Sequence, residues 1–100
     1  MAYKVIISAA AELDIFETTD FYEKQLPGLG VHFYKTIIDC LRKLENHPHH
    51  YYFLFGEYCS VSPEIFPYLI IFKIASSEEV IVYGVMHSSR NPESIQRRTE

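Results

Sequence analysis

The chain has 100 residues, 48% of them hydrophobic and 15% aromatic, with only four glycines and five prolines, which excludes a disordered chain and allows one domain over residues 1–100. A formal net charge of −4 excludes a general nucleic-acid coat protein, because such proteins carry a basic stripe or a basic domain. A chain this short builds a small core and is only marginally self-sufficient, so a partner that buries further surface is expected.

Tyr3 to Ile7 is short and β-branched and predicts a strand. Ser8 is a suitable N-cap for a helix, and Glu12 and Asp14 fall near its positive end. Ile15, Phe16, Thr19, Tyr22 and Leu26 recur at spacings of three and four, which predicts an amphipathic helix ending at Pro27-Gly28. The acids Glu12, Asp14, Glu17, Asp20 and Glu23 read as its solvated face. After the break at Gly28-Leu-Gly30, a second apolar stripe of Phe33, Tyr34, Ile37, Cys40, Leu41 and Leu44 stops near Asn46 and Pro48. So short a connection predicts an antiparallel helical hairpin.

From Tyr51 onward the residues turn aromatic and β-branched. Strands are predicted at Tyr51–Phe55, Tyr68–Ile74 and Val80–Met86, the last two joined by the loop Ala75 to Glu79. Pro67 lacks an amide donor and belongs at a strand start or a bulge. Tyr68, Ile70, Phe72 and Ile74 fall on one face, with Leu69 and Ile71 on the other, so these strands need cover on both sides. Two helices cover one side. The other must be closed by the C-terminal segment, by sheet curvature or by a protein partner, and the partner is the favoured expectation. The predicted fold class is therefore α+β: a strand, an antiparallel helical hairpin, then a small, mainly antiparallel sheet.

Candidate chemistry concentrates after the last strand, in His87-Ser-Ser-Arg90-Asn-Pro92, where a histidine and an arginine stand at a strand end. Arg90, Arg97 and Arg98 outnumber Glu93 and Glu100 in this stretch. Cys40 and Cys59 have no metal or redox spacing and read as reduced, partly buried thiols. His47, His49 and His50 surround Pro48 but lack a carboxylate or cysteine at supporting spacing, so no metal and no cofactor is expected. Tyr51, Tyr52, Phe53 and Phe55 read as packing rather than base-stacking residues. The N-terminus has neither the charge pattern nor the apolar run of a signal peptide, which predicts a cytoplasmic protein with no membrane partner.

In order and spacing, Ala10-Ala-Glu-Leu-Asp14, Phe21-Tyr-Glu23, Pro27-Gly-Leu-Gly30 with Phe33, Asn46-His-Pro48, Gly56-Glu-Tyr58, Phe66-Pro-Tyr68 and His87 to Pro92 resemble the RelE/ParE superfamily of bacterial toxins. The resemblance spans nearly the whole chain. It implies the growth-inhibiting toxin of a type II toxin–antitoxin or plasmid-stabilisation module, with the helical hairpin backing a small sheet and a cognate antitoxin wrapping the toxin.

Two activities occur in that superfamily. RelE-like members cleave mRNA on the ribosome, which requires a group to activate the ribose hydroxyl and cations to hold the phosphate. Here Cys59-Ser-Val-Ser-Pro-Glu-Ile65 stands where relatives commonly carry arginines. The nuclease alternative would have to use His87 as general base or acid, Arg90 as phosphate clamp, and Lys73. ParE-like members inhibit DNA gyrase by protein contact and need no such constellation, so that reading is favoured, with Arg90, Arg97, Arg98 and Tyr68 as target-binding candidates. It needs no direct sequence-specific nucleic-acid binding. A diverged, non-toxic antitoxin-binding module is the third reading.

Overall fold

The computed structural model describes residues 2–100. Strand β1 (Lys4–Ile7) leads into helices α1 (Ala9–Gln25) and α2 (Leu29–Asn46). A 3-10 turn at Pro48–His50 precedes strands β2 (Phe53–Phe55), β3 (Tyr58–Val61), β4 (Tyr68–Ile74) and β5 (Glu79–His87), and helix α3 (Pro92–Arg98) follows. The strands form one five-stranded sheet in the order β1-β5-β4-β3-β2. β1 runs parallel to β5, and every other pairing is antiparallel.

Ser8 caps α1 as its sequence position predicts, its hydroxyl accepting the Ala11 amide at 3.1 Å. The two helices of the hairpin cross closely at Gly30, where a Cβ would collide with the Thr19 carbonyl oxygen and the Glu23 Cβ. The Glu23 carboxylate bends back to accept the amides of Gly28 and Gly30 at 2.9 and 3.0 Å, which fixes the loop and removes this acid from the purely solvated face. α2 buries Phe33, Ile37, Cys40, Leu41 and Leu44, as its stripe predicts, except that Tyr34 is exposed. The α1 stripe departs further from expectation. Ile15 is buried, but Phe16 is 71% exposed and Leu26 also faces water, because Ala11 and Ile15 supply the seam against the sheet.

β4 begins directly after Pro67 and has the predicted bounds, whereas β2 is narrower than Tyr51–Phe55. Tyr51 instead turns its ring edge onto Phe72, 6.1 Å between centroids. Ile70 and Phe72 join the core under the hairpin, and Ile71 joins a smaller cluster on the opposite face. Sequence reasoning favoured a partner as the cover for that second face. The cover within the chain is α3, which sets Ile95 against Ile71 and Met86.

β5 carries a bulge. Ile71 pairs with Gly84 while the next residue, Phe72, pairs with Val82, so Tyr83 is the extra residue. Side-chain parity therefore slips: Val80 and Val82 face the hairpin before the bulge, and Val85 does so after it. β1 pairs only as far as Val82, which leaves the rest of β5 without a strand on that side.

Candidate interaction surfaces

The open edge of β5 is closed by side chains. Ser8 donates its hydroxyl to the Tyr83 carbonyl at 3.3 Å, and the Val85 amide donates to Asp14 at 2.9 Å. The same Asp14 carboxylate receives both guanidinium nitrogens of Arg98, one of them at 3.2 Å, in a bidentate ion pair. With Asp14 15% and Arg98 23% exposed, the pair is largely shielded from solvent. Gly84 leaves room for the pair, since a Cβ there would sit 3.1 Å from an Arg98 nitrogen and press on that side chain. Asp14 is thus an anchor joining α1, the β5 bulge and α3, not a member of a solvated acidic face. Arg98, a target-binding candidate by sequence, has its guanidinium committed to that anchor.

The remaining candidates do not converge. His87 faces the hairpin side, edge-on to Tyr68 at 5.2 Å, and its Nδ1 meets the Ser89 hydroxyl at 2.7 Å and the Ser89 amide at 3.1 Å. Tyr68 is partly buried in an aromatic cluster with Tyr22 and Phe33. Lys73 lies on the opposite face, five positions along β4 from the partner of His87, a separation of about 17 Å at ~3.3 Å per residue. Its amine is 3.2 Å from Glu57 and 5.6 Å from the Tyr58 ring centroid. The hydrogen bond and charge of Glu57 raise the Lys73 pKa above its ordinary value. Arg90 and Arg97 are exposed, and among the described residues neither meets a carboxylate.

The three histidines are divided as well. The rings of His47 and His50 stack 4.9 Å apart, while His49 Nε2 lies 3.1 Å from the Tyr3 hydroxyl. Cys40 and Cys59 are buried free thiols, both raised in pKa by desolvation.

What the chain does present is apolar surface. Leu13, Phe16 and Phe21 on α1 and Val31 and Tyr34 on α2 are exposed. Between the helices a groove of about 390 Å³ is lined by Ile7, Ile15, Phe16, Thr19, Tyr34 and Ile38, with Glu12 on its rim. Among the described residues the buried Thr19 hydroxyl has no hydrogen-bond partner. A second exposed run, Tyr52 (90%), Phe53 (72%) and Leu54, lies at the β2 edge of the sheet. Sequence reasoning located the uncovered surface on the sheet alone. The α1 surface was legible in principle, since Leu13, Phe16 and Phe21 add apolar positions that a single buried stripe cannot absorb.

A family profile described as "ParE toxin of type II toxin-antitoxin system, parDE" matches residues 5–92. Among solved structures, a chain from "Chromosomal ParDE TA system from P. aeruginosa" shares the fold with a TM-score of 0.74 at 12% sequence identity, over 86% of this chain and 96% of that one. None of the curated proteins compared matches in sequence.

Proposed function

Because the chain belongs to the ParE toxin family of type II toxin–antitoxin systems, we propose that it arrests growth by inhibiting DNA gyrase through protein contact, and that a cognate antitoxin neutralises it by covering the helical hairpin. The observation that carries protein contact over RNA cleavage is the dispersal of His87, Lys73 and Arg90. Acid–base cleavage at a ribose requires base, acid and phosphate-holding cations within hydrogen-bond reach of one scissile linkage. Here the histidine and the lysine lie on opposite faces, and the lysine is paired with Glu57. The exposed Arg90, just before α3, and Arg97, in its last turn, remain the target-facing candidates.

Support for the antitoxin contact comes from the exposed residues of the hairpin groove. Phe16 and Tyr34 offer anchors, and Glu12 and Glu17 border them, so an amphipathic antitoxin segment with basic residues beside its apolar face fits.

Inducing the chain alone in a bacterial host, with thymidine and amino-acid incorporation followed in parallel, tests the target. Early loss of DNA synthesis while translation continues is the expected result, together with loss of supercoiling by purified gyrase. An immediate halt in translation would overturn the gyrase reading, and unimpaired growth would overturn toxicity itself. Phe16→Asp is expected to leave toxicity intact while weakening rescue by the antitoxin encoded beside it.

A further inference from the structure

A cavity of about 440 Å³ lies on the opposite flank of α2 from the hairpin groove and shares no residue with it. The volume is ordinary for a small-molecule site, within roughly 300–1,000 Å³. Helix α2 contributes Asp39, Cys40 and Lys43, Tyr51 and Val61 supply an apolar wall, and Glu64 in the loop from β3 to β4 completes the lining. That loop is held in place. Pro63 and Phe66 are buried, and between them Ile65 takes a φ of 63°, a left-handed backbone that a β-branched residue adopts only where its surroundings impose it. Asp39, Lys43 and Glu64 are exposed and, among the described residues, none is ion-paired. On α1, Asp20 and Lys24 have the same order and spacing and close to 2.8 Å, whereas Asp39 and Lys43 stay apart on the cavity wall. All three charges act on one buried sulfur: burial raises the Cys40 pKa most, Lys43 lowers it, and Asp39 and Glu64 raise it further. They therefore surround a common space with two negative charges and one positive.

We propose that this cavity binds a free basic α-amino acid, with its α-carboxylate on Lys43, its α-ammonium on Asp39, its side-chain cation on Glu64 and its methylenes against Tyr51 and Val61. Charge complementarity selects that class. Residues one helical turn apart have Cβ atoms ~5–6 Å apart, so Asp39 and Lys43 can grip from either side one head group whose two charges leave the same carbon. Glu64 then answers a second cation at the far end of an aliphatic chain, along an apolar wall that suits methylenes. A neutral amino acid would leave Glu64 unanswered, and a diamine would set a cation against Lys43. The site is separate from the hairpin groove and from Arg90 and Arg97, and the proposal holds whichever cellular target the protein has.

The test titrates the full chain with L-arginine and L-lysine at constant ionic strength, read by amide chemical shifts. Expected are saturable shifts at Asp39–Lys43, Tyr51, Ser62 and Glu64, with a Kd of about 1 mM or tighter. Norleucine, which lacks the terminal cation, and agmatine, which lacks the carboxylate, should each bind about tenfold more weakly than arginine. Glu64→Gln should abolish the preference for arginine over norleucine, and Lys43→Ala the preference over agmatine. Both residues are exposed, so an unchanged urea midpoint shows that the fold survives each change. No saturation by about 10 mM ligand, equal binding of norleucine, preferences that survive both substitutions, or shifts spread over the acidic surface would overturn the proposal. N-acetyl-arginine amide binding as tightly as arginine would also overturn it, assigning the cavity to an arginine side chain of a polypeptide.

Discussion

On the hairpin side of the sheet fifteen buried residues join in one cluster, from Ala11 and Phe33 to Val82 and Val85, whereas on the α3 side three are buried, Ile71, Met86 and Ile95. The first side is secured by apolar area, and many of its residues would have to be exposed together before it opened. The second relies on one isoleucine and on polar ties: the bidentate Asp14–Arg98 pair and the Tyr58 hydroxyl, 3.4 Å from the Thr99 carbonyl. Regions with few buried contacts open at free energies well below global unfolding. α3 should therefore be the first element to detach, although it carries Arg97 and follows Arg90, the arginines proposed to meet the target.

The largest expected effect tests the strong side. Phe33→Ala removes a fully buried ring and should cost about 3–5 kcal/mol against a total of ~5–15 kcal/mol for a domain of this kind, visible as a collapse of the urea midpoint. A loss under about 1 kcal/mol would mean that the two sides are closer in strength than burial indicates. Asp14→Asn breaks the tie between the sides, leaving Arg98 without its carboxylate. It should cost about 2 kcal/mol, with amide exchange accelerating in α3 and at Val85 before it does in α2. Uniform acceleration across both faces would deny the distinction.

Ile95→Ala should be gentler still, at most about 2 kcal/mol, because detachment of α3 limits what its packing can contribute to global stability. The smallest effect is alkaline. Folded-state pKa values of Cys40, Cys59, Tyr22 and Lys73 are all raised, chiefly by burial for the thiols and Tyr22 and by Glu57 for Lys73. Groups raised in this way favour the folded state below their unfolded pKa, and that contribution is lost as pH rises through the folded value. The thiols ionise first in the unfolded chain, so stability should begin to decline near pH 9, the ordinary cysteine value, and Cys40→Ala should flatten the decline. A midpoint that stays level from pH 8 to 10 would contradict this.

Much of the strong side was legible in the sequence, and little of the weak one. β4 and β5 announce themselves as unbroken β-branched and aromatic runs, and α2 by five of its six stripe residues, because each depends on a local pattern. β3 was missed because Tyr58-Cys-Ser-Val61 is four residues with one polar interior position, too short for a pattern. α3 has seven residues and one buried position, so periodicity is silent, although Asn91 followed by Pro92 and Glu93 is a readable start signal and Asn91 does accept the Glu93 amide at 2.8 Å. The glycine inside the β5 pattern was a readable sign of a bulge. Asp14 offered no sign of its role, since its partners Val85 and Arg98 lie 71 and 84 positions away.

The bulge at Tyr83 behaves like a frame shift written into a strand. Upstream of it even-numbered residues of β5 point to the hairpin and downstream odd-numbered ones do, and the chain is composed to match, with Val85 set for one compartment and Met86 for the other. Were the strand to run on regularly through Tyr83, the destinations of Val85, Met86 and His87 would be exchanged, whereas deleting Tyr83 would set Gly84 directly after Val82 and keep them. The compartment each side chain of this strand enters is thus set by the looped-out residue as much as by residue identity.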